Sequence, residues 1–170
     1  MYARLIGMAG ALILLAACSS APETPAGGPG GPGGPGGGAM GAQMGGVAGA
    51  AVPGSQQDLK QTAGDRVFFA FDRSDITPEA QQILTHQAEW LRRFPNVTVT
   101  IEGHCDERGT REYNLALGAR RASAVKNVLV AMGLPASRIQ TISYGKERPI
   151  VLGSNEAAWA QNRVAITTVN

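Results

Sequence analysis

Metal-binding and nucleophilic side chains are scarce in this sequence, which contains only two histidines and two cysteines among 170 residues. A protein metal site needs about three or four converging ligands, and His86 is the only histidine besides His104. The 15 basic and 13 acidic residues nearly balance, and no basic face with interleaved aromatic residues is present. The composition therefore argues against a metal centre and a nucleic-acid surface, and we expect no cofactor.

The N-terminus carries a short apolar segment. Residues 1–17 contain one early positive charge, Arg4, followed by an apolar run that is too short to span a bilayer comfortably. This pattern predicts a secretory signal peptide. The run ends in Leu-Ala-Ala-Cys18, which resembles the lipobox of bacterial lipoproteins, in which the cysteine becomes the lipid-acylated N-terminus. The alternative is an ordinary signal peptide with a chance cysteine.

The next segment, residues 18–63, is rich in glycine and proline. Glycine resists ordering and proline interrupts helices and strands, so we expect a disordered linker that buries little apolar surface. A collagen triple helix is excluded because the Gly-X-Y period does not persist. As a flexible coil the linker would span roughly 35–40 Å. One folded domain is predicted over residues 64–170.

Apolar periodicity and local stop signals predict alternating strands and helices in this domain. A helix begins at Thr77 and Pro78 and ends before Pro95, and a second begins at Thr110 and ends at Gly133. The other predicted elements are strands at residues 67–71, 97–103, 139–144 and 164–169 and a short helix at residues 155–162. The alternation predicts an α/β fold of βαβαβ type with helices covering at least one sheet face.

Charged residues cluster at the start of the second helix. Arg121 lies within its apolar stripe, which includes Tyr113 and Leu117, and Asn114 lies on the same side. A guanidinium on an inward face is costly unless a carboxylate meets it, and Asp106 is the nearest candidate. The spacing leaves two interpretations open: Asp106 and Arg121 neutralise each other, or they bind the ammonium and carboxylate of a zwitterion.

A resemblance covers almost the whole predicted domain. Residues 67–163 are similar to the OmpA-like peptidoglycan-binding domain, an α+β sandwich with a βαβαβ(α)β order and helices packed on a four-stranded sheet. The segments that carry the resemblance are VFFAFD (67–72), SDI (74–76), IEGHCDERGT (101–110), YN (113–114), LGARRA (117–122), SYGKERP (143–149), NEAA (155–158) and NR (162–163).

The resemblance implies specific site residues. In the family an aspartate and an arginine hold the ammonium and carboxylate of diaminopimelate in the peptidoglycan stem peptide, and these fall on Asp106 and Arg121. Asp72, Asn114 and Leu117 match further positions of the family pocket. Arg120 points about 100° away from Arg121 on the helix and is expected to be solvated.

The resemblance also implies a role. With a lipid on Cys18 and no aspartate after it, since Ser19 follows, the chain is expected in the outer membrane with its domain in the periplasm. The implied partners are peptidoglycan and the Tol proteins, TolB above all. The implied function is non-enzymatic attachment of the outer membrane to the cell wall, including envelope constriction at cell division.

Two alternatives come from other functional classes. Cys105 departs from the threonine or alanine common in the family and raises the possibility of a peptidoglycan hydrolase, but a cysteine nucleophile needs an oriented base. We expect Cys105 to be a small buried residue instead. A motor or stator protein can carry an OmpA-like domain, but it would need a transmembrane helix in place of the lipobox.

Overall fold

The computed structural model describes residues 51–170, so the predicted signal peptide, Cys18 and most of the predicted linker lie outside the described residues. The described helices are α1 (Gln56–Thr62), α2 (Pro78–Arg93), α3 (Arg111–Ala131) and α4 (Glu156–Asn162), with a 3-10 turn at Ala136–Arg138. The strands are β1 (Arg66–Phe68), β2 (Val99–His104), β3 (Ile139–Gly145) and β4 (Val164–Val169). Within residues 51–170, none of the helices combines the length and apolarity needed to cross a membrane.

Side-chain caps fix the starts of the three helices that the sequence predicted. The hydroxyl of Thr77 accepts a hydrogen bond from the backbone N–H of Ala80 at 3.2 Å, and Thr110 does the same for Tyr113. The carboxamide of Asn155 caps α4. Each cap satisfies a backbone donor that has no partner inside the helix. The predicted starts at residues 77, 110 and 155 are therefore confirmed.

The four strands form one mixed sheet in the order β1-β4-β2-β3. Strand β4 lies between β1 and β2 and runs antiparallel to both, while β2 and β3 are parallel. Strands β1, β2 and β3 therefore point the same way, and their C-terminal ends share one edge of the sheet with the N-terminal end of β4. The loops after β1 and β2 and the chain between α4 and β4 emerge together at this edge. The predicted α/β class, with helices on a four-stranded sheet, is confirmed.

Helices α2 and α3 pack on one face of the sheet, and their apolar residues form the core with the strands. The fully buried members include Leu84, Leu91, Val125, Leu129 and Ile101. Helix α3 lies unusually close to β2. A Cβ atom added at Gly118 would lie only 2.9 Å from the carbonyl oxygen of Gly103. Two facing glycines thus set the height of α3 above the end of β2.

The first strand is shorter than predicted. The sequence indicated a strand over residues 67–71, but the sheet pairing ends at Phe68. Beyond it Phe69 still donates its N–H to the carbonyl of Arg163, and a turn then closes between Ala70 and Arg73. Asp72 adopts a positive φ of 58° in this turn. Residues 69–71 are apolar and continue the sequence pattern of a strand, but their backbone leaves the sheet.

The folded part also begins earlier than predicted. The sequence predicts that residues 56–63 belong to the disordered linker, but residues 56–62 form α1, and Leu59 is completely buried in the core. The side-chain amide of Gln56 donates to the carbonyl of Thr167 at 3.1 Å and accepts from the N–H of Val169 at 2.7 Å. The Gln56 side chain thus makes hydrogen bonds to the part of β4 that the short β1 does not reach. Because these contacts join residues more than 100 positions apart, local polarity did not reveal them.

Candidate ligand-binding site

A pocket of about 150 Å³ opens at the sheet edge where the loops after β1 and β2 meet the start of α3. Its lining contains all five residues that the sequence and the resemblance selected: Asp72, Asp106, Asn114, Leu117 and Arg121. The sheet order explains the convergence, because Asp72 follows β1 and Asp106 follows β2, and these parallel strands end at the same edge. Helix α3 supplies the other three residues from one face.

Arg121 is fully buried at 0% exposure, yet its hydrogen-bond partners are not carboxylates. Its Nε donates to the carbonyl of Arg73 at 2.8 Å, Nη1 donates to the carbonyl of His104 at 2.8 Å, and Nη2 donates to the carbonyl of Ala70 at 3.2 Å. Nη1 also contacts the sulfur of Cys105 at 3.4 Å. The carbonyls of Ala70 and Arg73 belong to the turn after β1, and that of His104 belongs to the last residue of β2. Backbone where these two strands end therefore holds the guanidinium.

The ion pair between Asp106 and Arg121, one of the two interpretations that the spacing left open, is not formed. No carboxylate lies within 4.0 Å of the Arg121 guanidinium among residues 51–170. A guanidinium has five N–H groups, and its four acceptors leave one N–H of Nη2 without a partner in this part of the chain. Burial lowers the pKa of Arg121, while the nearby Cys105 and Asp106 raise it. Arg121 does not need an ion partner because backbone carbonyls solvate its guanidinium.

Asp106 instead accepts from two other arginines. Arg108 bonds it through Nε at 3.3 Å and Nη2 at 2.6 Å, and Arg163 bonds it through Nη1 at 3.3 Å. Burial by itself raises the pKa of the Asp106 carboxyl, but the hydrogen bonds and charge of Arg108, helped by Arg163, outweigh burial and hold the pKa below its usual range. Asp106 is therefore ionised at neutral pH.

Asp72 is the exposed carboxylate of the pocket. Its side chain accepts a short hydrogen bond from the hydroxyl of Tyr113, and this bond raises the pKa of the tyrosine above its ordinary value. Aspartate tolerates the left-handed conformation that Asp72 adopts better than most residues. Tyr113 was predicted on the inward stripe of α3, but it is 46% exposed and forms part of the pocket wall.

Asn114, Leu117 and Cys105 build the floor and the frame of the pocket. The amide nitrogen of Asn114 donates to the carbonyls of Arg108 at 2.7 Å and Thr110 at 3.0 Å, which fastens the loop after β2 to α3. Leu117 is 5% exposed and supplies an apolar wall. Cys105 is buried as expected, its sulfur contacts the carbonyl of Asn114, and burial raises the pKa of its thiol.

Sequence reasoning missed Phe71, Arg108 and Arg163. The Arg108 guanidinium lies 4.1 Å from the centre of the Phe71 ring and 4.2 Å from that of Trp159, so it is held between two aromatic rings. Arg163 also donates to the carbonyl of Phe69 and to Glu156. Both arginines lie in segments that carried the resemblance, but only the strand order shows that Arg163 reaches the carboxylate of Asp106, 57 positions earlier in the chain.

The pocket can hold a small molecule with both signs of charge. Arg121 offers a free N–H and an unpaired positive charge at the inner end, which suits a carboxylate. Asp72 and Asp106 offer carboxylates that suit an ammonium group. Leu117 and Phe71 provide apolar walls between them. A zwitterionic amino-acid group fits this arrangement better than a neutral or singly charged ligand.

Comparison with known proteins assigns the class of this domain. The sequence model of the OmpA family matches residues 68–163, which include α2, β2, α3, β3 and α4. The chain therefore belongs to the OmpA family. The C-terminal domain of Helicobacter pylori MotB has a similar structure, with a TM-score of 0.59 over 62% of this chain and 84% of that chain, but at 20% identity this shows the fold alone.

Within this family, the chain is similar to several proteins that are each named peptidoglycan-associated lipoprotein. The chain is 56% identical over 73% of its length, and 70% of the relative's, to the peptidoglycan-associated lipoprotein of Agrobacterium fabrum. It is 42% identical over 97% of its length, and 96% of the relative's, to that of Haemophilus influenzae. The crystal structure of the Burkholderia pseudomallei peptidoglycan-associated lipoprotein superposes with a TM-score of 0.61 at 42% identity, covering 62% of this chain and 90% of that chain.

These relatives also decide between the functional classes. The chain groups with the peptidoglycan-associated lipoproteins, which are binding proteins, and the prediction that it is not an enzyme is confirmed by this grouping. The contacts of Cys105 agree, because its sulfur faces the carbonyl of Asn114 and the guanidinium of Arg121 and not an imidazole. The structure thus gives Cys105 a packing role.

Proposed function

We propose that this chain binds peptidoglycan without a covalent bond, through the diaminopimelate residue of the stem peptide. The observation that carries the proposal is the buried Arg121 guanidinium, which lines a zwitterion-sized pocket, has a free N–H and lacks a carboxylate partner among residues 51–170. Arg121 binds the carboxylate of diaminopimelate. Asp106 and Asp72 bind its ammonium, and Asn114 and Leu117 shape the pocket around its carbon chain.

The arrangement supports moderate affinity. Each charge-assisted hydrogen bond contributes roughly 1.5–3 kcal/mol net, and the loss of translational and rotational freedom on association offsets part of this contribution. A single site of this kind has a dissociation constant on the order of micromolar. Many copies on one cell wall add avidity, so the attachment is stable overall while each contact stays reversible.

The proposal extends to the chain outside the described residues. Residues 1–17 act as a signal peptide, a lipid on Cys18 anchors the chain in the outer membrane, and the glycine-rich and proline-rich segment tethers a periplasmic domain. By resemblance, the domain also binds TolB and other Tol proteins of the Tol-Pal system and supports constriction at cell division. The similarity to full-length lipoproteins supports this arrangement, since the alignment with the Haemophilus influenzae relative covers 97% of the chain.

Cosedimentation with purified peptidoglycan sacculi tests the site. The full chain in mild detergent is compared with the variants Asp106→Ala, Arg121→Ala and Asp72→Ala. Arg120→Ala is the matched control, because it removes the same charge from the neighbouring, exposed position on α3. Circular dichroism and thermal melts show whether each variant is folded.

We expect wild type and Arg120→Ala to pellet with sacculi and the folded Asp106 and Arg121 variants to stay in solution. If the folded Arg121 variant pellets as wild type does, the guanidinium is structural and the proposed site is wrong. A lysine-type peptidoglycan, whose stem residue lacks the second carboxylate, should pellet the wild type less because Arg121 then has no anion to bind.

A further inference from the structure

The carboxylate of Asp106 is already saturated with donors. Its Oδ1 accepts from the backbone N–H of Arg108 at 3.2 Å and from Nε of Arg108 at 3.3 Å. Its Oδ2 accepts from Nη2 of Arg108 at 2.6 Å and from Nη1 of Arg163 at 3.3 Å. An ionised carboxylate has about four lone-pair sites. A ligand ammonium can therefore reach Asp106 only if one of these donors leaves.

The two arginines differ in how firmly they are held. The side chain of Arg163 is 9% exposed, and it also bonds the carbonyl of Phe69 and, at 2.7 Å, the carboxylate of Glu156. The side chain of Arg108 is 33% exposed and has all its hydrogen bonds within the described residues on Asp106. Arg108 is thus the donor that can leave at the lower cost.

The surroundings of Arg108 also provide it with a second position. Its guanidinium lies between the rings of Phe71 and Trp159, and its Nη2 is 4.0 Å from Oε2 of Glu156. A small shift toward Glu156 keeps the guanidinium between the rings and exchanges one carboxylate for another. Glu156 does not line the pocket, so a shift toward it moves positive charge away from the ligand.

We propose that Arg108 is an internal competitor for the ligand's ammonium: it occupies the cation position on Asp106 in the free protein and is displaced toward Glu156 when a zwitterion binds. This inference rests on the proposed binding of diaminopimelate and adds a residue that determines its affinity. Arg108 keeps Asp106 ionised and oriented before binding, and its displacement lowers the net affinity. A ligand without an ammonium group leaves Arg108 in place.

The test uses the full chain in mild detergent, with a synthetic stem tripeptide ending in meso-diaminopimelate as probe and the same peptide with its side-chain amine acetylated as a second probe. Binding is measured by calorimetry for wild type, Arg108→Gln and the control Arg111→Gln. Arg111 is an exposed arginine three positions away that pairs with Glu147 and does not line the pocket. The control therefore removes the same charge without touching Asp106.

A second measurement needs no variant. The chain has only two tryptophans, and Trp90 is fully buried while Trp159 contacts Arg108. A shift of Arg108 toward Glu156 changes the position of its positive charge relative to the Trp159 ring, so titration of wild type with the free-amine peptide should change the Trp159 emission. Titration with the acetylated peptide should not.

We expect Arg108→Gln to bind the free-amine peptide roughly fivefold more tightly than wild type, because a partly exposed ion pair no longer competes. Arg111→Gln should bind as wild type does. If wild type binds the peptide but Arg108→Gln binds equally or more weakly, or if emission is unchanged on binding, the competitor role is wrong and the proposed function stands. If wild type binds neither the peptide nor sacculi, the competitor role of Arg108 and the proposed function are both wrong.

Discussion

Because α3 lies close to β2, we expect the substitution Gly118→Ala to destabilise the protein. The direction of this stability change tests the packing beside the site. In an ordinary helix interior, replacing glycine by alanine stabilises by about 1 kcal/mol. At Gly118 the added methyl would overlap the hydroxyl of Ser143 and lie 2.9 Å from the carbonyl oxygen of Gly103. Gly103 belongs to a central strand that is paired on both sides, so its backbone has no room to move.

The size of the effect follows from these contacts. Overpacking a rigid interior costs about 1–3 kcal/mol, and turning Ser143 away loses its 2.7 Å bond to the carbonyl of Leu115, at about 1 kcal/mol. After subtraction of the helix gain, we expect Gly118→Ala to lower the free energy of unfolding by about 1–3 kcal/mol. Lifting α3 also moves Arg121, one turn later, from the carbonyls that hold it, so sacculus binding should weaken.

Urea denaturation followed by circular dichroism measures the change. Ser123→Ala is the control, because Ser123 is exposed on the same helix and the substitution changes helix propensity without a new contact. We expect this control to stay within about 0.5 kcal/mol of wild type. A Gly118→Ala protein that is more stable than wild type by about 1 kcal/mol would refute the close approach of α3 to β2.

Two further predictions concern buried groups beside Arg121. Iodoacetamide should label native Cys105 slowly, as followed by mass spectrometry, because the side chain is 2% exposed and burial raises the pKa of its thiol; rapid labelling at neutral pH would contradict this. His104 is 2% exposed, and burial lowers its pKa below 6.5 against the influence of Glu102. Below that pH the unfolded chain takes up a proton that the folded protein resists, so the free energy of unfolding decreases. His104→Gln should flatten this decrease in pH-dependent urea titrations, and an unchanged slope would assign it to other groups.

The sequence was sufficient for the parts of the fold that depend on neighbouring residues. The caps at Thr77 and Thr110, the stop at Pro95 and the alternation in β2 all act within a few residues, so the pattern alone located α2, α3 and the strand between them. The resemblance selected Asp72, Asp106 and Arg121, and the pocket brings them together. Whether they bind diaminopimelate stays a prediction.

The partners of these charges were decided by tertiary structure. Sequence spacing suggested that Asp106 neutralises Arg121, yet Arg121 is solvated by carbonyls of residues 70, 73 and 104, and Asp106 is held by Arg108 and Arg163. The contact between Arg163 and Asp106 exists because β4 lies between β1 and β2 and brings Arg163 to the same edge. Helix caps and apolar periods are local and can be read along the chain. The partner of a buried charge depends on which distant segments the sheet order places side by side.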